Sequence, residues 1–286
     1  MPSLKAIKRR INSVDTTKKI MKAMDMVAAA KLQKVKARLD AARLFAQEAK
    51  NMLAAFDDAG ELAENVFFAP RAVKHTVYLI ITSDRGLCGS HNANLIEKLR
   101  AHIRENKIEH ERIIAVGSKG YDYFTARGKY ILRAFPDVSE TVLYVDAIRV
   151  ADYVAGLYTS GEADEVYMAY TKFESALSHS PQVSKVFPMS VDVDPEAAAK
   201  STNMAYDPDM HSFLDHAMPV FLNAFVYAAL IESSACEQAA RMMSMEAAVN
   251  NASEIIGKLT RSYNRRRQSV ITQEISEIVS SASIMK

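Results

Sequence analysis

The chain has 286 residues, of which 49% are hydrophobic and 24% are charged, and its formal net charge is +2. These values are ordinary for a soluble globular protein. The longest uninterrupted apolar run, Ala224–Ile231, has eight residues against the roughly 20 that a membrane span needs, so we expect no direct insertion into a bilayer. The two cysteines are far apart and the basic N-terminus has no apolar stretch behind it, which argues against a disulfide framework and a signal peptide.

Charge and breaking residues divide the chain into three blocks. Residues 1–60 hold 13 Lys and Arg against 6 Asp and Glu, whereas residues 61–208 hold 16 against 20 and residues 209–286 hold 7 against 8. Most glycines and prolines fall in the middle block. We therefore predict a first helical segment, an inserted domain and a last helical segment with these bounds. The basic first segment favours an acidic partner.

The first block reads as one helix. Apolar or small residues recur from Leu4 to Phe56 about every 3.5 residues, which is the spacing of a left-handed coiled coil. A helix of that length spans about 80 Å at 1.5 Å per residue and needs a partner along its length.

The middle block alternates strand and helix patterns, which predicts a mostly parallel, Rossmann-like α/β domain covered by helices. The last two strands are expected to pair with each other through a turn in the 175–181 region. The strands are predicted at residues 75–82, 112–117, 129–135, 164–173 and 182–191, and the helices at 92–105, 121–127 and 146–158.

Two glycine-containing loops in the middle block are candidates for chemistry. Residues 83–92, SDRGLCGSHN, follow a strand and precede a helix, so Cys88 could be a nucleophile or the loop could cradle phosphate. The favoured interpretation is a tight turn with a half-buried cysteine and Ser90 or Asn92 as the helix N-cap, because the loop lacks a full phosphate-binding motif. We also interpret GSKG at 117–120, with Lys119, as a turn rather than an anion site.

The last block supplies a partner for the first helix. Its apolar seam runs from Leu214 through Arg267, Ile271, Ile275 and Ile278, again about every 3.5 residues. Because the two helices come from opposite ends of the chain, we predict an antiparallel coiled coil. Basic clusters on these helices could bind nucleic acid, but no aromatic residues are interleaved, and a protein partner with acidic loops fits better.

Three stretches resemble the gamma subunit of F-type ATP synthases. They are RINSVDTTKKIMKAMDMVAAAKL at 10–32, SDRGLCGSHN at 83–92, and EQAARMMSMEAAVNNASEIIGKLTRSYNRRRQSVITQEISEIVSSAS at 237–283. The chain departs from the family's usual glycines at Ser90 and at Ser280 with Ser281. The resemblance covers essentially the whole chain.

The resemblance implies a central rotor shaft that couples ion translocation to ATP synthesis or hydrolysis at the beta subunits by rotation. It implies a non-catalytic subunit with no catalytic, cofactor-binding or metal-binding residues of its own. The expected partners are the alpha and beta subunits around the shaft, and the epsilon subunit and the ring of c subunits at the inserted domain, or foot. The expected location is the cytoplasmic face of the bacterial plasma membrane, as a peripheral protein.

By matching positions, the resemblance also implies a set of beta-subunit contacts. Two other hypotheses remain open at this point: an α/β enzyme with helical dimerisation arms that uses Cys88, and a coiled-coil nucleic-acid binder. The implied beta contacts are Met24, Arg267, Gln268, Thr272 and Glu274.

Overall fold

The computed structural model describes residues 3–58, 65–108, 110–190 and 210–284. The boundaries predicted between the three blocks, at 60/61 and 208/209, lie outside the described residues. The helices and strands are α1 Leu4–Asp58, β1 Thr76–Ile81, α2 His91–Glu105, β2 Arg112–Val116, α3 Ser118–Thr125, β3 Tyr130–Phe135, α4 Tyr144–Thr159, β4 Glu165–Phe173, β5 His179–Phe187 and α5 Met210–Ile284.

The described residues belong to two compact units. The helical unit combines Met1–Ala28 with Arg241–Lys286, and the sheet unit is Ala29–Ala240. The predicted fold class, an α/β domain between two long terminal helices, is confirmed: α1 has 55 residues and α5 has 75.

Within the sheet unit, α1 and α5 are antiparallel. The Nε of Arg43 on α1 donates to Oε1 of Glu232 on α5 at 2.7 Å. One heptad further along α1, the Lys50 ammonium lies 5.9 Å from the ring centroid of Phe225, which is one heptad earlier along α5. The two helices then share an apolar cluster, which comprises Ala49, Leu53, Leu214, Met218 and Phe221.

The helical unit has a narrow seam with small and flexible side chains. Ala28 is 1% exposed and Met245 is 3% exposed, and Ile7 and Ala252 are also buried. Alanine allows two helix backbones to approach closely, and methionine adapts its shape to the gaps that remain. The stability of this unit therefore depends on the seam between two paired helices rather than on a globular hydrophobic core.

The sheet unit contains one five-stranded sheet with the order β3-β2-β1-β4-β5. The first four strands are parallel, with Leu79 of β1 aligned to Ile114 of β2 and to Met168 of β4. Strand β5 is antiparallel to β4. Every residue of β1 is buried, as expected for the central strand of a parallel sheet with both faces covered.

The core of the sheet unit lies on both faces of β1. On one face, Tyr78 and Ile80 pack in a cluster with Leu95 and Leu99 of α2 and Phe124 of α3. The residues of β1 that point the other way are equally buried, and α4 packs against β4. The alternation of β1 side chains thus places helices on both sides of the sheet.

Two predicted elements need correction. Strand β5 begins at His179 rather than at residue 182, because the segment expected to form the turn pairs with β4. Pro181 is tolerated there because β5 is an edge strand, where one missing N–H does not interrupt a ladder on both sides. Helix α3 occupies Ser118–Thr125 rather than 121–127, because it begins directly after Gly117.

One described helix is long and apolar enough to cross a membrane by length and composition. It is the part of α5 within Ser212–Ser281, and more than half of its most apolar window is buried inside the molecule. The run-length argument in the sequence missed this segment because polar residues interrupt it. The finding is weak evidence for insertion, since the core helix of a soluble protein satisfies the same two criteria.

We predict that Gly117→Ala lowers the free energy of unfolding by about 3 kcal/mol or more, since left-handed strain and overpacking add together. Gly117 has φ +85°, and a Cβ there would lie 2.1 Å from the carbonyl oxygen of Thr82. The measurement is urea denaturation followed by circular dichroism.

The matched control is Gly128→Ala. Gly128 also has positive φ, +65°, but a Cβ there would meet no heavy atom within 4 Å. Only the backbone strain remains in this variant, so we expect the free energy of unfolding to fall by about 1 kcal/mol. Equal losses for the two variants would show that the contact with Thr82 has no energetic effect.

Candidate functional site

The loops at the carboxyl ends of the parallel strands converge on Asp84. Its Oδ1 accepts hydrogen bonds from the backbone N–H of Ser118 at 2.9 Å and of Asp137 at 3.0 Å. Its Oδ2 accepts from the N–H and the hydroxyl of Ser139 at 3.0 and 2.9 Å. Asp84 therefore joins the segments that follow β1, β2 and β3.

The ionisation of Asp84 reflects this arrangement. Burial works against the charged form, but the hydrogen bonds donated by Asp137, Ser139 and Ser118 outweigh it and hold the pKa of Asp84 below its ordinary value. A carboxylate with this many donors has little capacity left for a ligand, so its role is to hold three loops together.

Cys88 lies in the same loop as Asp84, but no neighbouring group can activate it as a nucleophile. The side chain is 3% exposed. Its Sγ lies 3.7 Å from the hydroxyl oxygen of Ser83 and 3.5 Å from Nδ2 of Asn92. A hydroxyl and an amide do not take a proton from a thiol, and a reactive cysteine needs a thiolate. These contacts do not favour the enzyme hypothesis.

The expected N-cap of α2 is partly wrong. Ser90 occupies the N-cap position but makes no side-chain capping hydrogen bond. Asn92 turns back toward β1 instead, where its Oδ1 accepts from the N–H of Ser83 at 3.0 Å and its Nδ2 donates to the Ser83 hydroxyl at 2.6 Å. The amide therefore closes the loop onto the strand rather than opening the helix.

The backbone N–H groups of the GSKG turn at 117–120 are also used in hydrogen bonds within the protein. The N–H of Lys119 donates to the carbonyl of Ser83 at 3.0 Å, and the N–H of Gly120 donates to the Thr82 hydroxyl at 2.8 Å. Backbone N–H groups at a helix start bind anions when they are free to do so. Here they hold the β2–α3 turn against β1, which supports the interpretation of 117–120 as a turn.

The five residues expected to contact a partner all lie in the helical unit. Met24 on α1 is half-buried, and the four residues on α5 are exposed: Arg267, Gln268, Thr272 and Glu274. On a helix, positions 268 and 272 are neighbours one turn apart, and positions 267 and 274 are two turns apart on one side. The four α5 side chains thus form two polar pairs, which lie on either side of Ile271 and Ile275 around the helix.

The seam predicted through this part of α5 is wrong by about one residue. The predicted seam holds through Tyr263, which is partly buried, but Arg267 is exposed and the next partly buried positions are Arg266 and Val270. After Tyr263 the seam takes a step of three residues where four were predicted, and a helix of 3.6 residues per turn accommodates either step.

Three further seam positions lie in water. Ile271 is 46% exposed, Ile275 57% and Ile278 68%, and Val279 beside them is 62% exposed. We refer to these four residues as the C-terminal stripe. Their spacing places them on one helix face, so they form a continuous apolar surface that the described part of the chain does not cover. The greater length of the last helix was the sequence signal for this surface.

Comparisons with known proteins cover the whole chain. The ATP synthase family model matches residues 3–285. The ATP synthase gamma chain of Desulforamulus reducens is 38% identical over 286 residues, which is 100% of both chains. That of Chlorobium phaeobacteroides is also 38% identical, over 294 residues and 100% of both chains.

Solved structures are similar as well. A chain in the central stalk and c-ring structure of Tetrahymena thermophila mitochondrial ATP synthase has a TM-score of 0.62 and 26% identity, covering 80% of this chain and 99% of that one. A rotor chain of Euglena gracilis mitochondrial ATP synthase has a TM-score of 0.64 at 18% identity, covering 94% and 98%, and supports the fold alone.

We predict that Asp84→Asn lowers the free energy of unfolding by about 2 kcal/mol at neutral pH, because an amide cannot replace a charged acceptor of several donors. Since the pKa of Asp84 is lowered on folding, its stabilisation is present above the ordinary carboxyl pKa and is lost as the pH falls through the lowered value. The difference in the free energy of unfolding between wild type and variant should therefore become smaller below about pH 4.

Urea denaturation at a series of pH values tests this expectation. The control is Asp122→Asn, which changes an exposed carboxylate on α3 and should leave the stability at neutral pH close to that of wild type. A stability difference for Asp84→Asn that is constant down to pH 3 would contradict the assigned role of its charge.

Proposed function

The chain belongs to the ATP synthase gamma-chain family, and on that premise we propose that it is the central rotor shaft of an F-type ATP synthase. In this role it couples ion translocation through the membrane sector to ATP synthesis or hydrolysis at the beta subunits. One observation carries the proposal: a long terminal helix leaves the C-terminal stripe exposed, while the loops where an α/β domain would bind a ligand are filled by Asp84 and its donors.

The proposed mechanism is rigid-body rotation. An asymmetric shaft presents a different face to each of three surrounding beta subunits, so each turn through a third of a circle changes which beta conformation is stabilised. The chain contributes differential contacts rather than chemistry. The contacts of Cys88 support a non-catalytic role, since neither Ser83 nor Asn92 can act as its base.

The proposed partners follow from the surfaces of the helical unit. We infer that alpha and beta subunits surround this unit, because the C-terminal stripe is an apolar face that a ring of proteins would remove from water. Exposed cations on α1 suit acidic loops of beta and include Lys8, Arg9, Arg10, Lys19 and Lys22.

We infer that the inserted α/β domain predicted at 61–208 is the foot, which meets the epsilon subunit and the ring of c subunits. This assignment places the chain at the cytoplasmic face of a bacterial plasma membrane as a peripheral protein. The bacterial relatives, whose full length this chain matches, support that location.

The first experiment is reconstitution of ATPase activity from purified alpha and beta subunits with and without this chain. Steady ATP turnover that requires about one copy of the chain for three beta subunits is the expected result. Absence of binding to alpha and beta, under conditions in which a known gamma chain assembles, would overturn the proposal.

We predict that Arg267→Ala combined with Gln268→Ala lowers coupled ATP synthesis more than it lowers folding stability. Both side chains are exposed, so their removal should change the free energy of unfolding by no more than about 0.5 kcal/mol. Loss of a charged contact with a partner should weaken coupling by about tenfold, the usual effect of one charged hydrogen bond.

The measurements are thermal unfolding of the chain and ATP synthesis by the reconstituted complex. Arg104→Ala is the control, because it removes an exposed arginine from α2 of the sheet unit. Equal loss of complex assembly and of synthesis would assign the double variant a role in assembly instead.

We predict that Met24→Lys uncouples ATP hydrolysis from ion transport. Met24 is half-buried, so lysine places a charge where water is already partly excluded and where a partner would exclude the rest. Met26→Lys is the matched control, because Met26 is 65% exposed and lies on a different face of the same helix. Normal coupling in Met24→Lys would remove Met24 from the interface.

A further inference from the structure

The carboxyl end of β4 extends beyond its neighbour in the sheet. Strand β1 pairs with β4 only from Glu165 to Ala169, so the N–H groups of Thr171 and Phe173 have no strand beside them on that side. Unpaired N–H groups at a buried strand edge are costly unless another acceptor replaces the missing strand.

Helix α5 provides those acceptors. The N–H of Thr171 donates to the hydroxyl oxygen of Ser233 at 3.2 Å. The N–H of Phe173 donates to Oε2 of Glu232, also at 3.2 Å. One turn later, the thiol of Cys236 donates to the carbonyl of Thr171 at 3.4 Å. A polar stretch of α5 therefore takes the place of a strand along the end of β4.

Helix α1 joins the same contact through Arg43. Its Nε donates to Oε1 of Glu232 at 2.7 Å, and its Nη2 donates to the carbonyl oxygen of Phe173. The Glu232 side chain is 9% exposed and that of Arg43 is 36% exposed. One arginine and one glutamate thus connect three elements: α1, α5 and β4.

Buried polar contacts differ from apolar packing in one mechanical respect. Apolar side chains attract without a preferred direction, and packed helices can make small sliding motions against their neighbours. Charge-assisted hydrogen bonds are short and directional, and they are strengthened where water is excluded. Contacts to backbone groups of β4 fix α5 in one rotation about its own axis.

We propose that Arg43, Glu232 and Ser233 form a torsional joint, which locks the two terminal helices to the sheet so that torque passes between them without slip. This inference rests on the proposed rotor function and adds positioning residues to it. None of these side chains is expected to touch nucleotide or the transported ion. They act by keeping the helices from turning against the sheet under load.

The test uses the complete ATP synthase complex in sealed vesicles. ATP hydrolysis and ATP-driven proton uptake are measured together as an opposing gradient builds, with sodium uptake in place of proton uptake if the wild-type complex transports sodium. The variants are Glu232→Ala, which removes both carboxylate contacts, and Glu232→Gln, which retains an oxygen for Phe173 but loses the charge. Lys31→Met is the control, since Lys31 joins α1 to the segment between β3 and α4 through an exposed pair with Glu140 at 3.7 Å.

The expected result is ATP hydrolysis at the wild-type rate with fewer ions moved per ATP. Uptake per ATP should fall by about tenfold for Glu232→Ala while the opposing gradient builds, the factor for loss of a charged hydrogen bond. Glu232→Gln should be intermediate, and Lys31→Met should behave as wild type. Normal hydrolysis in the variants also establishes that they fold and assemble.

Two outcomes would contradict the proposed torsional joint. One is unchanged uptake per ATP in Glu232→Ala, and the other is a loss of hydrolysis in proportion to uptake, which would mean that the residues serve stability alone. A wild-type complex that shows no hydrolysis dependent on this chain would instead overturn the rotor function on which the joint rests.

Discussion

The structure depends on the burial of one very long apolar seam. A helix of 55 residues is too long to bury its apolar face against a single compact domain. Intrinsic helix propensity alone stabilises such a helix little in water. The second long helix solves this problem because it runs antiparallel to the first and offers a seam of alanine and methionine. Since those helices are the two ends of one chain, everything between them has to form a closed domain whose first and last segments return to the same pair of helices.

Polar groups are used in opposite ways in the two units. In the sheet unit, carboxylates point inward and hold backbone: Asp84 joins three loops, and Glu232 joins α1, α5 and β4. In the helical unit, Arg267, Gln268 and their neighbours point into water. A domain held by buried charged contacts is stiff, and a helix pair with exposed polar and apolar side chains is suited to meeting several partner faces in turn. This contrast between the two units suits a protein that transmits force better than a protein that binds a small molecule.

The sequence predicted these features unequally. Strand β1 was recognisable because it is a continuous apolar run, and α2 because its pattern is amphipathic. The start of β5 was missed because Pro181 reads as a breaker unless the strand is known to be an edge, and α3 was misplaced because Gly117 and Gly120 look like a loop. The seam failed at Arg267 because steps of three and four residues both fit a helical period, so spacing alone did not decide between Arg266 and Arg267. The Asp84 hub and the Arg43–Glu232 contact could not be predicted, since they join residues that are 34 to 189 positions apart.

The partner contacts have a different status. Met24, Arg267, Gln268, Thr272 and Glu274 came from likeness to a family and not from any physical pattern, and they remain predictions. The C-terminal stripe could have been deduced, because its spacing is regular and the first helix is too short to cover it. Its exposure also bears on how a cell must handle the chain. A newly made copy without its assembly carries an uncovered apolar face, which chaperones and proteases recognise in unfinished proteins. Synthesis in step with the other subunits would limit that loss, and the stripe would serve as the mark by which surplus copies are removed.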